Sequence, residues 1–328
     1  MKILVTFPGH LKTVPMNRYI PESLVRMGHE VVPFSYEAKG LYSILLKKAD
    51  KARWVEYMDR RLLALVRKTR PDAFLTIYGV DHGIQLIESV KAEGVTTICW
   101  WLNDPFQFER STRMAGSFDF YFTNSDGIIP EYHKRGLHNV HYLPVGVYPP
   151  VHRRIPGKRH VYDVSFAGDW SPVREDILTN LAVDFDVTIF GPWKKKLGKG
   201  SPLMSRLKGG KFFSPEEMVG IFNRSKVVLN IHSWYGRTDY GINPRVFEAN
   251  GCGAFQVCDW KQEIPALYED GKEIVLYKDL PELKDGIAYY LSHEAERAAI
   301  ADNGYARSHG EHTYEHRLTK MLSVCGFG

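Results

Sequence analysis

Residues 243–259 combine a cation and a carboxylate at the start of a predicted helix, in the sequence Asn-Pro-Arg-Val-Phe-Glu-Ala-Asn-Gly-Cys-Gly-Ala-Phe-Gln-Val-Cys-Asp. Asn243 is expected to cap this helix, and Gly251 and Gly253 are expected to end it. Arg245 and Glu248 lie three residues apart, so they share a face of the helix. A helix N-terminus and an arginine attract an anion, while a carboxylate accepts hydrogen bonds from hydroxyl groups. The segment therefore suits a ligand that carries phosphates and hydroxyls.

A second loop has the composition of an anion site. Gly168, Asp169 and Trp170 follow an apolar, strand-like run and precede a helix that carries Arg174 in its first turn. The N–H groups of the loop and the arginine can together hold a diphosphate. Arg174 is equally consistent with an ordinary residue on a surface helix, and the sequence leaves both interpretations open.

Three residues at predicted strand ends are candidates for catalysis, in this order of preference: Asp104, His10 and His232. Asp104 precedes a proline and is also consistent with a simple helix cap. His10 follows Gly9, where the backbone can approach a ligand closely, but a single loop histidine is also consistent with an ordinary exposed side chain. His232 opens a long polar and aromatic loop, and ordered loops of this length are often functional.

The elements that must position these residues alternate along the chain as strands and helices, which is typical of parallel sheets covered on both faces. In the first half, the predicted strands are Ile3–Phe7, Val31–Phe34, Ala73–Tyr78, Thr96–Trp101, Phe118–Thr123 and Val140–Leu143. In the second half, they are Tyr162–Ala167, Val187–Phe190, Val227–Ile231, Ala254–Val257 and Ile274–Tyr277. Helices are predicted between the strands, including one long region at Ser43–Lys68, and the tail Ala295–Leu322 is helical.

A proline-rich stretch at 144–157 separates the two sets and indicates a linker. We therefore expect an α/β domain at residues 1–148, a second at 158–304, and a helical tail at 305–328. Ligands of open α/β sheets bind beyond the carboxyl ends of the strands, so the loops described above would face a cleft between the two domains.

Composition limits the classes of function. The chain has 328 residues, of which 44% are hydrophobic and 25% charged, and its net charge is +5. Such a mild charge permits an anionic substrate, whereas a nucleic-acid partner would require a dense basic face. The N-terminus lacks the apolar run of a signal peptide, and no run reaches the length of a transmembrane segment. A cytoplasmic protein is expected, and nothing in the sequence indicates its oligomeric state.

Several chemistries have no motif in this sequence. There is no GxGxxG fingerprint for a dinucleotide and no GxSxG elbow for a serine hydrolase. The thirteen histidines and four cysteines show no spacing typical of a metal site. Neither a metal nor another cofactor is therefore expected.

At this point the residues resemble a known family. Residues 247–257, Phe-Glu-Ala-Asn-Gly-Cys-Gly-Ala-Phe-Gln-Val, resemble the nucleotide-sugar motif of glycosyltransferases of the GT-B fold. The prefix Asn-Pro-Arg at 243–245 makes the pattern most similar to the CgeB-type branch, as do residues 163–169 and 225–232. The resemblance is good over roughly residues 160–320 and weaker before them, where residues 101–105, Trp-Leu-Asn-Asp-Pro, look familiar.

The resemblance implies two Rossmann-like domains that face a cleft, with a C-terminal helix that crosses back to the first domain. A nucleoside-diphosphate-sugar donor would bind to the second domain, without a metal, and an acceptor would enter from the first. Glu248 matches the residue that holds the donor ribose. The backbone from Gly241 to Asn243 would cradle the diphosphate, with positive charge supplied by Arg174 or Arg245.

One departure from the family pattern affects the expected reaction. Many retaining relatives carry a second glutamate eight residues before the ribose glutamate, and Tyr240 occupies that position here. The retaining or inverting outcome therefore stays open, as do the acceptor, the sugar and the base of the donor. An epimerase or hydrolase that acts on nucleotide sugars, or a non-catalytic nucleotide-sugar-binding protein, is the alternative to a glycosyltransferase.

Overall fold

A computed structural model describes residues 1–7, 15–78, 82–210 and 212–328. The chain divides into two compact units. The N-terminal unit comprises residues 1–145 together with 317–328, and the C-terminal unit comprises residues 146–316. The last twelve residues thus belong with the first unit. Within the described ranges, no helix is both long and apolar enough to cross a membrane.

The N-terminal unit is built on a six-stranded parallel sheet of order β2-β1-β3-β4-β5-β6. Its strands are β1 (Lys2–Phe7), β2 (Glu30–Ser35), β3 (Ala73–Ile77), β4 (Thr96–Trp101), β5 (Phe120–Thr123) and β6 (Val140–Tyr142). The helices between them are α1 (Met16–Arg26), α2 (Leu41–Ala49), α3 (Lys51–Thr69), α4 (Ile84–Ala92), α5 (Phe108–Ala115) and α6 (Ile129–Lys134). The central strand β3 is buried along its whole length, as expected for a sheet covered on both faces.

The C-terminal unit contains a five-stranded parallel sheet of order β11-β10-β9-β7-β8. Its strands are β7 (Tyr162–Ala167), β8 (Val187–Phe190), β9 (Ser225–Asn230), β10 (Gln256–Asp259) and β11 (Val275–Tyr277). Its helices are α7 (Pro172–Leu181), α8 (Pro215–Phe222), α9 (Arg245–Gly251), α10 (Leu280–Ser292) and α11 (Glu294–Glu311), and α12 (Tyr314–Val324) then runs into the first unit. All eleven predicted strands are present, so the predicted α/β class is confirmed.

Both sheets have the same doubly wound topology. Numbered within its own unit, the C-terminal sheet has the order 2-1-3-4-5 and the N-terminal sheet the order 2-1-3-4-5-6, and in both the direction of winding reverses between the first and third strands. Ligands of such sheets bind at this reversal, beyond the carboxyl ends of the two strands. The relevant pairs are β1 with β3 in the N-terminal unit and β7 with β9 in the C-terminal unit.

Two predictions about helices are wrong in detail. The long helical region is two helices, because Asp50 adopts an extended conformation and caps α3 through its side chain, which accepts from the N–H of Arg53 at 3.1 Å. Asn243 does not cap α9, whose N-cap residue is Pro244 with no side-chain hydrogen bond. The amide of Asn243 is instead directed into the sheet, where it exchanges hydrogen bonds with Asn230.

Helix α11 packs closely against the end of α9 and against the backbone just before β11. A Cβ atom added at Gly304 would lie 2.3 Å from the carbonyl oxygen of Glu273 and 3.1 Å from the side-chain nitrogen of Asn250. This contact also explains the glycine, since the opposing atom is backbone and cannot move away cheaply.

We therefore expect Gly304→Ala to lower the free energy of unfolding by about 1–3 kcal/mol, as an overpacked core does. Gly310→Ala in the same helix is the matched control, because a Cβ there meets nothing within 4 Å. The control should be neutral or stabilise by up to about 1 kcal/mol through helix propensity. Urea unfolding of both variants measures the difference, and equal midpoints would show that the contact imposes no constraint.

Candidate functional site

Arg174 lies at the reversal point of the C-terminal sheet. Its Nε–H donates to the carbonyl of Ile231, just beyond β9, at 2.8 Å, and its Nη1–H donates to the carbonyl of Asp169, just beyond β7, at 2.9 Å. The guanidinium also lies over the ring of Phe166, with 5.2 Å between them. No carboxylate among the described residues forms an ion pair with it. The arginine thus holds the ends of two strands together while its charge stays uncompensated.

The environment of Arg174 is unfavourable for a cation. Burial and, after it, the nearby charge of Arg245 lower the pKa of the Arg174 guanidinium to about 10. The group therefore remains charged at neutral pH. A partly desolvated cation with only carbonyl partners is stabilised by an incoming anion.

The loop between β7 and α7 offers further donors beside Arg174. The backbone N–H groups of Asp169 and Trp170 donate to no residue within the described ranges. Gly191 approaches the loop so closely that a Cβ there would lie 2.2 Å from the carbonyl oxygen of Gly168, and its φ is 142°. The loop, the start of α7 and Arg174 together form the arrangement that the sequence predicts for an anion.

Arg245 and Glu248 form an ion pair on α9, as their spacing predicts. Glu248 is buried, and Arg245 also lies over the rings of Phe213 and Phe222, at 5.8 and 5.7 Å. The pair uses only one carboxylate oxygen of Glu248, Oε2. The other oxygen, Oε1, accepts no hydrogen bond from the described part of the chain. Glu248 therefore keeps one acceptor for a ligand hydroxyl.

A buried ionic cluster lies at the carboxyl ends of β9 and β10. Oδ1 of Asp259 accepts from the backbone N–H of His232 at 2.8 Å and lies 2.7 Å from Nδ1 of the same residue. Oδ2 lies 3.1 Å from Nζ of Lys261. All three side chains are at most 1% exposed. Burial alone would raise the pKa of the Asp259 carboxyl, but His232 and Lys261 bring it below its usual value.

These contacts assign the tautomer of His232. Nε2 accepts from the backbone N–H of Asn243 at 3.1 Å, so Nδ1 carries the proton and donates to Asp259. Burial lowers the pKa of His232, which fits a neutral ring. With both nitrogens engaged inside the protein, His232 positions the loop, and its predicted role as a catalytic group receives no support from these contacts.

The cluster belongs to a wider set of bonds that orders the loop 231–243. The ammonium of Lys261 donates to the carbonyl of Thr238 at 2.9 Å, and the N–H of Gly241 donates to Oε1 of Glu263 at 2.7 Å. The carbonyl of Tyr240 accepts from the indole of Trp234 at 3.2 Å. Because the N–H groups of Gly241 and Asn243 are already bonded, the predicted cradle at 241–243 has two fewer donors than expected.

The amides of the 243–259 segment form a buried chain of hydrogen bonds. Nδ2 of Asn230 donates to Oε1 of Gln256 at 3.0 Å and to Oδ1 of Asn243 at 3.2 Å. Nε2 of Gln256 donates to Oδ1 of Asn250 at 2.9 Å and to the carbonyl of Val246 at 3.1 Å. The asparagines and the glutamine of the motif therefore fix α9 against β9 and β10.

One cluster could be mistaken for a metal site. Donor atoms of His232, Cys258 and Asp259 lie within 4.8 Å of one another, which the sequence spacing did not predict. The ammonium of Lys261 already neutralises Asp259, however, and the Cys258 thiol has a pKa raised well above its usual value by burial and by the same carboxylate. A metal would need that thiol as thiolate and would compete with the lysine, so the donor set fits hydrogen bonding better.

The remaining catalytic candidates belong to the N-terminal unit. Asp104 is buried, and its carboxylate accepts from the indole of Trp101 at 3.2 Å and from the hydroxyls of Thr123 and Tyr132 at 2.6 and 2.7 Å. Burial raises its pKa, and these bonds offset part of the effect. The contacts are those of a group that orders the ends of β4 and β5. Gly9 and His10 lie outside the described residues.

The reversal point of the N-terminal sheet contains a histidine that the sequence did not single out. Nε2 of His82 lies 3.0 Å from Oγ1 of Thr6 on β1 and 2.7 Å from Oγ1 of Thr76 on β3. Burial lowers its pKa to about 3, so the ring is neutral across the physiological range. No sequence motif marks His82, because its two threonine partners lie on strands that are seventy residues apart in sequence.

Aromatic residues near the predicted loops are largely core. Trp100, Trp101 and Trp193 are fully buried and Trp234 is 7% exposed, whereas Trp170 and Tyr235 are partly exposed. Four of these six rings therefore pack in the core. The indole of Trp170, in the loop between β7 and α7, donates to Glu175 at 2.5 Å.

Two comparisons find known proteins that are similar to this chain in sequence. Residues 174–323 match the family described as glycosyl transferase-like. Spore protein CgeB of Bacillus subtilis (strain 168) is 23% identical over 307 residues, which cover 87% of this chain and 95% of that protein. The chain has the GT-B fold, and it is similar to the CgeB-like glycosyltransferases.

Solved structures are similar to this chain over almost its whole length. Sucrose-phosphate synthase from Thermosynechococcus elongatus has a TM-score of 0.73 and 10% identity, and covers 99% of this chain and 98% of its own. HepE from Anabaena, whose structure contains UDP and glucose, has a TM-score of 0.68 and 14% identity, and covers 99% of each chain. These likenesses confirm the predicted GT-B fold.

The ionic cluster generates a prediction about stability. Lys261→Met should lower the free energy of unfolding by about 3–5 kcal/mol, because it leaves the buried Asp259 carboxylate without its cation. The matched control is Lys272→Met, since Lys272 pairs with Glu269 on the surface and should contribute little. Thermal and urea unfolding give the measurement. The double change Asp259→Asn with Lys261→Met should recover part of the loss, and a Lys261→Met midpoint equal to that of the wild type would contradict the assignment.

Proposed function

We propose that the chain is a glycosyltransferase that takes its sugar from a nucleoside-diphosphate-sugar bound at the reversal point of the C-terminal sheet. The observation that carries the proposal is Arg174, a partly buried cation that bonds two strand ends and has no described carboxylate partner. A diphosphate would supply the missing negative charge and accept from the N–H groups of Asp169 and Trp170. Because HepE was solved with UDP and glucose, uridine nucleotides are the first donors to test.

In this proposal the leaving diphosphate is stabilised by the protein itself. Arg174 and the start of α7 would oppose the charge that develops as the bond to the sugar breaks, which is the role that a metal plays in other transferases. Arg245 adds a second positive charge nearby, while its pairing with Glu248 holds both side chains in place. Transfer is therefore proposed to proceed without a metal and to be insensitive to EDTA.

Glu248 is proposed to bind the ribose of the donor. Its Oε2 is occupied by Arg245, and Oε1 remains as an acceptor. A carboxylate that is held by an arginine on one side can accept a ribose hydroxyl on the other at little cost in side-chain entropy. His232 and Asn243 would act at a distance, by fixing the loop that leads into α9.

The first test concerns the diphosphate. Arg174→Ala should weaken UDP binding by roughly 10- to 100-fold, the range expected for one charge-assisted hydrogen bond, and leave the affinity for uridine unchanged. Release of UDP from UDP-glucose in the presence of an acceptor panel should fall in parallel. Calorimetry and a UDP-release assay give these values.

Arg206→Ala is the matched control for Arg174, because Arg206 forms a peripheral ion pair with Asp186 in the same unit. Equal UDP affinity in the wild type and Arg174→Ala would remove the basis for the diphosphate site. Sugar release that is just as fast without any acceptor would instead assign the chain to the nucleotide-sugar hydrolases or epimerases.

The second test concerns the ribose. Wild-type protein should prefer UDP over its 2′-deoxy or 3′-deoxy analogue by about tenfold or more, because a carboxylate–hydroxyl bond is lost in the analogue. Glu248→Gln should reduce that preference and change the affinity for the deoxy analogue little. Glu269→Gln, on the surface of the same unit, is the control. A preference that persists unchanged in Glu248→Gln would assign ribose recognition to another residue.

A further inference from the structure

Helix α2 of the N-terminal unit buries a polar side chain and exposes its apolar ones. Its buried side chain is that of Ser43, whereas Leu41, Tyr42, Ile44 and Leu45 are 74, 65, 40 and 55% exposed. The other large exposed apolar residues of the described chain are separated from one another in sequence. Four such residues within one and a half helical turns form a contiguous apolar patch, which soluble surfaces rarely carry without a partner.

The orientation of α2 is fixed by specific contacts with α3. The indole N–H of Trp54 donates to the hydroxyl of Ser43 at 2.9 Å, and the ammonium of Lys47 lies 4.0 Å from the centre of the Trp54 ring. Ser43 and Lys47 are one helical turn apart, so they define the face that packs inward. Leu41, Ile44 and Leu45 occupy the opposite face by the same spacing. The exposure of the patch is therefore built into the packing of α2.

Cations adjoin the apolar patch. Lys48 lies on the same face, one turn after Ile44, and is exposed. The ring of Tyr42 contacts that of Tyr57 on α3 at 5.4 Å, and the guanidinium of Arg61 lies 5.6 Å from the Tyr57 ring. Neither Lys48 nor Arg61 forms an ion pair with a described residue. Helix α2 contains no acidic residue at all.

We propose that this patch, Leu41, Tyr42, Ile44 and Leu45 with Lys48 and Arg61, docks the protein on an anionic lipid surface. Leucine and isoleucine side chains would enter the boundary between headgroups and acyl chains, and the two tyrosines suit the headgroup level, where amphipathic rings accumulate. The unpaired cations would meet anionic headgroups. A second copy of the chain fits less well, because a two-fold contact would set Lys48 and Arg61 near their own counterparts with no acid on α2 to separate them.

Flotation of the purified full-length protein with lipid vesicles tests the proposal. The wild type should float with phosphatidylcholine vesicles that contain phosphatidylglycerol, bind less to phosphatidylcholine alone, and be released as salt is raised. The double change Leu41→Ser with Leu45→Ser should reduce partitioning about tenfold or more. Lys48→Gln should reduce it about fivefold, which is the loss of one lysine contact with an anionic surface.

Matched controls exist in the same unit. Val25→Ser with Ile84→Ser removes two apolar side chains of similar exposure, 58 and 51%, from α1 and α4 and should leave partitioning unchanged. Lys134→Gln serves the same purpose for charge, since Lys134 pairs with Glu131 on α6. The thermal midpoint of the α2 double variant should equal that of the wild type, because the replaced side chains are exposed.

The outcomes that overturn the proposal are distinct. If the wild type fails to float with any vesicle mixture, or if the double variant floats as well as the wild type, the patch does not bind a lipid surface. Sedimentation velocity identifies the main alternative: a concentration-dependent dimer that the Leu41→Ser, Leu45→Ser variant no longer forms, without vesicle binding, would assign the patch to a second copy. None of these readouts depends on nucleotide binding or sugar transfer, so they stand apart from the proposed function.

Discussion

The constraint on which the candidate site depends is the burial of the Asp259 carboxylate at the end of β10. A charge at that depth is tolerated only when it is paired. The backbone and ring of His232 form hydrogen bonds with one oxygen, and Lys261 forms an ion pair with the other, which accepts no hydrogen bond from the described residues. Each partner belongs to a different loop end, so satisfying the charge also fixes where the chain goes after β9 and after β10. His232 extends the effect, because its remaining nitrogen accepts from the backbone just before α9.

The organisation of the chain could be predicted from local signals. A parallel strand that is covered on both faces is apolar along its length, so a central strand such as β3 appears in the sequence as a short continuous apolar run. Glycine likewise marks the end of α9, since Gly253 has a φ of 68° that other residues rarely adopt. The pairing of Arg245 with Glu248 also follows from helix spacing alone.

The parts that were missed depend on contacts between distant residues. Asn243 has the composition of a cap, yet a buried amide thirteen residues away competes for it, and in the interior an unpaired amide at Asn230 would cost more than an uncapped helix end. Asp259, Lys261 and Glu263 follow a buried strand at alternate positions, which is the one sequence signal that could have drawn attention to them. The exposed face of α2 was missed for a similar reason, because the ring of Trp54 decides which face turns inward.

The two arginines of the site illustrate why composition alone cannot assign roles. Arg245 forms an ion pair with Glu248, and its guanidinium lies over two phenylalanine rings. These contacts hold Arg245 in one position, and Arg245 in turn holds the carboxylate of Glu248 in place. Arg174 bonds only to carbonyl groups, which fix its geometry without cancelling its charge. The uncompensated charge lowers the stability of the folded state, and an anion bound beside the guanidinium would offset that loss. An arginine positioned by neutral acceptors is thus preorganised for a ligand, whereas one positioned by a carboxylate is already satisfied, and in this sheet the first kind lies where the winding reverses.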